Sequence, residues 1–354
     1  MKFLYKYVLK PILFFLDAEF VHDLFTMLGR MLGSFGITRK GIHILYGYHG
    51  KDISKTVDGI KYKTPVMLSA GFDYNGKLTG ILESVGFGGE EVGSVTARAC
   101  EGNRKPRLIR LKKSGSIVVR KGLRNGGVDA VINRIKNSHV PKGFVVGVSI
   151  ARTNDEVCNT LEVGIEDYVY SLDKLVNENV GDYYAINISC PNSYCGEAYT
   201  TPEALNNLLT EIGKIKIEKP VYLKMPINLS WQEFEALLDV SLNFPYIKGY
   251  VIGNLNKNIS DLKHPHEAHG KARGGLSGNP CKELSTALIK ATRAKLGDSK
   301  TIIGCGGIMS VSDAIEKFEA GADLLQLITG MIFDGPHLVS DICNEISRKI
   351  VDKK

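Results

Sequence analysis

An α/β fold of the (β/α)8 TIM-barrel class with an N-terminal helical hairpin is what this sequence predicts, on three observations. From residue 64 onward, short apolar runs bounded by glycine and proline alternate with helical patterns, eight of each in order. Such runs are what parallel strands buried on both faces look like. No Pro/Ser-rich or charge-rich linker divides the 354 residues, so one large domain with an appendage is expected: residues 1–40 as an amphipathic segment and 41–354 as the barrel. No GxGxxG follows the first strand, which argues against a doubly wound sheet.

Composition narrows the function classes. An apolar fraction of 44% with 38 glycines fits a globular α/β protein, and disorder is expected only at the C-terminal "VDKK". The formal charge is +7, and Lys2, Lys6 and Lys10 fall in the first ten residues, which points to an anionic surface as partner. The seven cysteines form no CxxC pair and no metal-ligand spacing; Cys190 and Cys195 have no histidine nearby. A reduced cytosolic compartment and no metal follow.

Along the chain, "MKFLYKYVLKPILFFLDAEFVHDLFTMLGRMLGSFG" opens like a signal peptide, but its apolar run at 11–16 is too short and no small-x-small site follows. Lysines also interrupt it too often for a bilayer span. A pair of amphipathic helices is expected, broken at Pro11 and near Asp17, with Phe3, Leu4 and residues 12–16 as the greasy face. Such a segment binds the cytoplasmic side of a membrane peripherally, or packs as a hairpin on the main body.

The eight expected strands are "TPVMLSAGF" from Thr64, "GGEEVGSVT" from Gly88, "FVVGVSIA" from Phe144, "YYAINISC" from Tyr183, "PVYLKMPI" from Pro220, "GYVIGNLN" from Gly249, "KTIIGCGGI" from Lys300 and "ADLLQLITG" from Ala322. The helices between them carry start and stop signals. Thr201 and Pro202 precede Leu205, Leu208, Leu209 and Ile212 and end at Gly213; Ser230 with Glu233 makes a capping box; Ala314, Ile315 and Phe318 stop at Gly321. Two stretches of low periodicity, 104–127 and 257–280, follow the C-terminal ends of the second and sixth strands, where barrels carry active sites.

Polar residues that interrupt the strand ends are expected at one rim: Asp73, Ser94, Thr96, Ser149, Asn187, Cys190, Asn192, Lys224, Asn254, Gly306, Gly307 and Thr329. "GCGGI" at 304–308 and "ITGM" at 328–331 occupy the places after strands seven and eight where barrels bind phosphate, so a phosphate-bearing cofactor is expected. Lys224, in an otherwise apolar strand, must meet an anion, snorkel, or form an ion pair in the barrel mouth. Beside a planar cofactor it stabilises negative charge. Cys190 is placed for a general base, and Asn187 and Asn192 offer donors and acceptors for a cyclic amide.

With those residues placed, the chain closely resembles the dihydroorotate dehydrogenases, FMN-dependent barrels that oxidise dihydroorotate to orotate. "LDAEFVHDL" resembles the N-terminal hairpin of the membrane-associated, quinone-dependent class 2 enzymes. "EEVGSVTARACEGNRKPRLIRL", "AINISCPN", "GGLSGNP", "IIGCGGI" and "GADLLQLITGMIFDGP" are similar to that class in order and spacing. The resemblance implies FMN contacts at Ala70, Gly71, Ser94, Asn187, Lys224, Gly278, Gly307 and Thr329, with the phosphate at Gly307 and Thr329. It implies substrate contacts at Asn187, Asn192 and Asn254, proton removal by Cys190, and a quinone site at His22 and Arg110.

Several positions depart from that pattern. Cys190 resembles the soluble class 1 base, where class 2 has serine. Tyr74 stands where a substrate-binding lysine is expected, Val119 and Ser149 where asparagines are, Gly253 and Leu255 where hydroxyl residues are, and Ile328 where a tyrosine is. Losing a lysine and an asparagine removes much of what holds a carboxylate, and Arg120, Lys121 and Arg124 are the nearby candidates to compensate. The alternative is a flavin oxidoreductase acting on another pyrimidine-like or enone ring. A tRNA dihydrouridine synthase is disfavoured because little chain follows the eighth strand for an RNA-binding domain. A degenerate flavin barrel that only binds is disfavoured by Cys190, Lys224 and both glycine loops.

Overall fold

The computed structural model describes residues 2–192, 194, 196–268, 270 and 274–352. Eight parallel strands close into a barrel in sequence order: Val66–Leu68, Gly89–Val95, Val145–Ile150, Tyr183–Asn187, Val221–Met225, Ile247–Ile252, Thr301–Cys305 and Leu324–Leu327. The last pairs with the first, Leu325 opposite Val66. Every expected barrel strand is present, because runs buried on both faces leave a continuous apolar signal. Inside the barrel Met67, Val145, Tyr183, Tyr222, Val251 and Ile303 pack as one cluster. Val57 and Tyr62, from a hairpin of Lys55–Val57 and Ile60–Tyr62, close its N-terminal end. The outer core lies between strands and helices such as Leu161–Asn177, Pro202–Ile212 and Trp231–Leu242. The sequence caps are realised: Thr201 accepts from Ala204 N–H, and Ser230 and Glu233 form the reciprocal capping box.

Two expectations for the N-terminal segment need correcting. Pro11 does not break the first helix: residues 2–15 are helical throughout, with a π-turn at Tyr5–Leu9 leading into Lys10–Phe15. The Lys10 N–H reaches back to the Tyr5 carbonyl, and this wider pattern places proline in the first turn of the next segment, where its missing N–H costs little. The chain turns at Leu16, and Asp17 caps the helix Ala18–Gly33 by accepting from Phe20 N–H at 2.8 Å. A third helix, Gly36–Tyr46, crosses the expected boundary at residue 40.

The stretches 104–127 and 257–280 are not only loop. Leu108–Leu111, Ser116–Val119 and Gly275–Gly278 form a three-stranded antiparallel sheet. Four-residue strands are too short to show an alternating pattern, and one of the two partners of Ser116–Val119, Gly275–Gly278, lies far along the chain. At the C-terminus, helix His337–Asp352 reaches into the expected disordered tail, of which Lys353 and Lys354 lie outside the described residues.

Candidate active site

Two side chains that strand geometry alone turns inward organise the barrel mouth. Lys224, on the fifth strand, is 4% exposed and its Nζ lies 3.1 Å from Glu91 Oε1, on the second. Glu91 also accepts from Gln326 Nε2 at 2.8 Å and Tyr183 Oη at 3.2 Å. Burial pulls the Lys224 pKa down, Glu91 pulls it up, and the net shift is upward, so the ammonium is kept charged. The ion pair weighed from sequence is therefore present, and Lys224 still lines the cavities above it. Glu90, one residue away on the opposite face of the strand, is fully buried with no partner for either oxygen, and burial raises its pKa well above the carboxylate range.

At the ends of strands two, three, four and six a chain of amides and hydroxyls forms. Asn187 Nδ2 donates to Ser94 Oγ at 2.7 Å, and Ser94 Oγ shares a hydrogen bond of 2.7 Å with Ser149 Oγ. Asn254 Nδ2 donates to Ser189 Oγ at 2.7 Å, which in turn donates to Asn187 Oδ1 at 3.1 Å. Tyr168, buried behind the strand, donates to the Asn187 carbonyl at 2.7 Å and fixes the strand end from which Cys190 follows.

Three adjoining cavities meet over this network. The central one, about 950 Å³ including space open to solvent, is lined by Ala70, Gly71, Ser94, Asn187, Cys190, Asn192, Lys224, Asn254, Thr329 and His22. A second, about 520 Å³, shares Ala70, Lys224, Asn254 and Thr329 and adds Gly253, Gly278, Gly306 and Gly307. All four glycines have positive φ, between 74° and 116°, a region side chains with Cβ rarely adopt. Gln326, buried in this lining, has an amide oxygen without a hydrogen-bond partner. The third, about 760 Å³, runs under the N-terminal helices and is walled by Tyr5, Phe14, Phe25, Leu108, Met331 and Arg110. His22, Phe72, Leu108, Ile117 and Ile332 line both it and the central cavity.

At that junction the His22 Nε2 lies 2.8 Å from the Phe72 carbonyl and Nδ1 3.2 Å from Asp23. Two acceptors favour a doubly protonated ring, yet burial and the Lys121 ammonium outweigh them and lower its pKa. Arg110 donates to the carbonyls of Leu13 and, at 3.0 Å, Leu16, and lies 4.9 Å over the Phe14 ring. It thus caps the first helix as well as walling the apolar cavity.

The structure brings every sequence-predicted site residue to these three cavities. Two rim residues do other work: Asp73 accepts from the N–H groups of Asn75 and Leu78, and Thr96 bonds Arg98 and Asn125. Glu91 was missed, although two adjacent acids in a buried strand were a visible anomaly. Tyr74, Val119 and Leu255 all face the central cavity, with Lys121 and Arg124 beside them. Among the described residues no group of three His, Cys, Asp or Glu could hold a metal ion, and no helix is long and apolar enough to cross a membrane.

The family model for dihydroorotate dehydrogenase matches residues 52–350. This chain belongs to the dihydroorotate dehydrogenase family. A relative from Christiangramia forsetii named dihydroorotate dehydrogenase (quinone) is 36% identical over 354 residues, covering 98% of this chain and 99% of its own. One of the same name from Proteus mirabilis is 36% identical, covering 97% and 100%. Among solved structures, ligand-free DHODH from Eimeria tenella is 25% identical with a TM-score of 0.76, covering 90% of this chain and 95% of its own. The same protein in complex with ferulenol, at 24% identity and a TM-score of 0.81, shows the shared fold over 95% of this chain and 92% of its own. The family model spans the barrel, and the near-full-length match to the quinone-dependent relatives extends over the N-terminal helices as well.

Proposed function

We propose that this protein oxidises dihydroorotate to orotate, a step of pyrimidine biosynthesis, using FMN and passing the electrons to a membrane quinone. Family membership and quinone-dependent relatives matching nearly the full length support this reading. The observation that carries it is the joining of three cavities, one glycine-lined, one holding Cys190, one apolar and walled by the N-terminal helices.

The residues fit FMN. Glycines at positive φ let backbone approach a phosphate closely, and the partnerless Gln326 oxygen, in the lining of the glycine-rich cavity, can accept from a polar ligand group. Gly278, Gly307 and Thr329 would hold the phosphate end; Ala70, Gly71, Ser94, Asn187 and Lys224 would hold the ring. FMN bound there supplies the hydride acceptor. Lys224, kept charged by Glu91, supplies fixed positive charge where electron density grows. Asn187, Asn192 and Asn254 orient the ring amides and carbonyls of the substrate. Cys190, as thiolate, takes the ring carbon's proton. Val119, Leu255 and Tyr74 line the same cavity as the thiol.

The 760 Å³ cavity would admit the quinone between the first two helices, with His22 and Arg110 at its walls. Among the described residues, sixteen of the twenty-three exposed large hydrophobic side chains fall in the first 46 residues, Phe15 at 88% and Ile37 at 84% exposure among them. Together with Lys2, Lys6 and Lys10 they make a surface suited to peripheral membrane association.

Anaerobic addition of dihydroorotate to the FMN-loaded protein tests the substrate. Bleaching of the visible flavin absorbance is expected; a flavin that dithionite reduces but dihydroorotate does not would overturn the assignment.

A further inference from the structure

The wall of the central cavity nearest the N-terminal helices carries a positive charge that the surrounding carboxylates do not balance. Arg107, Lys121 and Arg124 converge on Glu19 Oε1, at 3.6, 3.2 and 3.2 Å. The other carboxylate paired there is Asp23, half exposed, 3.3 Å from Arg124 and 3.2 Å from His22 Nδ1. Among the ion pairs of the described residues, three cations thus share two carboxylates.

Lys121 is the cation of the three that is both buried, at 6% exposure, and part of the cavity lining. Arg124 also lines the cavity, but it is turned to Asp23 and Glu19 and is 38% exposed. The cavity's remaining cation, Lys224, is held by Glu91 on the barrel axis. An ammonium has three N–H donors, and Glu19 engages one of those on Lys121. The same cavity is lined by Val119, Leu255 and the Tyr74 ring, whose centroid lies 5.0 Å from Lys121 Nζ. The Tyr74 hydroxyl is buried with no hydrogen-bond partner. Hydrogen bonds to backbone carbonyls tie this segment to the loop of Cys190. Asn103 N–H donates to the Lys121 carbonyl at 3.2 Å, Asn103 Nδ2 to the Asn192 carbonyl at 3.0 Å, and Asn192 Nδ2 to the Val119 carbonyl at 2.9 Å.

We propose that Lys121, with the Tyr74 hydroxyl beside it, binds the carboxylate of the substrate ring and sets the preference for an acidic pyrimidine over an uncharged one. The cation comes from the sheet segment that closes the mouth rather than from the loop after the first barrel strand, where Tyr74 stands. The bound carboxylate supplies the third negative charge of the cluster. This rests on the dihydroorotate reading, and its test separates the two.

Orotate and uracil, which differ by the carboxylate, are titrated into the FMN-loaded full chain and followed by the flavin spectral shift. The wild type binds orotate more tightly than uracil. Lys121→Met weakens orotate about ten- to a hundredfold, as for loss of a charged hydrogen bond, leaves uracil unchanged, and raises KM for dihydroorotate far more than it lowers kcat. Lys121→Arg restores part of the preference. Glu19→Gln, which removes the tie but keeps the ammonium, leaves orotate binding equal or tighter. An unchanged orotate-to-uracil ratio in Lys121→Met, or parallel losses in Lys121→Met and Glu19→Gln, would show that Lys121 only fastens the N-terminal helix and would overturn the proposal. Should Lys121→Met not retain FMN, Lys121→Gln carries the same comparison. A wild type that dihydroorotate does not bleach but that still prefers orotate would sink the reaction assignment and leave Lys121 standing.

Discussion

Cys190 shows how much one residue can carry. A thiol has a reference pKa near ~8.5 and ionises in a useful range, whereas a serine hydroxyl in its place depends on a neighbour to take its proton. Cys190→Ala is expected to retain FMN and lose turnover at neutral pH; Cys190→Ser is expected to retain a fraction of turnover with its pH profile moved to the alkaline side. Unchanged turnover in the alanine variant would remove Cys190 from the mechanism. This residue was legible because "NISCPN" breaks an apolar strand with polar groups. Glu91 was not, because only the pleat decides which of two adjacent acids turns to Lys224 inside the barrel and which, Glu90, is left without a partner on the other face.

At the scale of elements the N-terminal helices are the least self-sufficient part of the molecule. On Ala18–Gly33, Glu19, His22, Thr26 and Gly33 are buried along one face, while Phe20, Met27 and Met31 are exposed. The segment is held by Glu19 on its three cations, Arg110 on the carbonyls of Leu13 and Leu16, and Tyr5 Oη on the Ile332 carbonyl at 2.6 Å. None of these ties reaches the hydrogen bonds of Asn187, Ser94 and Asn254. Deleting residues 1–36 is therefore expected to leave flavin reduction by dihydroorotate in place while quinone reduction and vesicle binding fall. Equal quinone rates with and without the segment would count against the apolar cavity as the quinone's path. Amphipathic spacing revealed these helices, but not that Pro11 would be absorbed by a π-turn. The small sheet over the mouth stayed hidden because its four-residue strands are too short to show a pattern and its third strand, Gly275–Gly278, comes from far along the chain.

Across the whole molecule, burial around the closed barrel is extensive enough to cover a lysine on the helix Val311–Glu319, behind the glycine-lined cavity. Lys317 is fully buried and donates to Ser285 Oγ at 3.0 Å and Thr286 Oγ1 at 3.1 Å. Burial lowers its pKa to about 8, opposed in part by the Cys305 and Cys281 thiols. The unfolded chain keeps that proton to about 10.4, so between about 8 and 10.4 the unfolded state binds more protons, and Lys317 costs the fold less as pH rises. Lys317→Met is expected to raise Tm at pH 7 and to lose that advantage by pH 10. A constant difference between the two melting curves across that range would show that Lys317 is not the titrating group.

The sequence by itself determined the eight barrel strands, the helix caps, the glycine turns and the polar strand ends, because each is written in neighbouring residues as an apolar run, a capping pair or an interruption. Tertiary structure alone decided that Glu91 meets Lys224, that Glu19 gathers Arg107, Lys121 and Arg124, and that the central and apolar cavities meet at His22. Those are pairings across 88 to 133 residues of chain, where the energy of a buried charge depends on which partner the closed barrel brings to it.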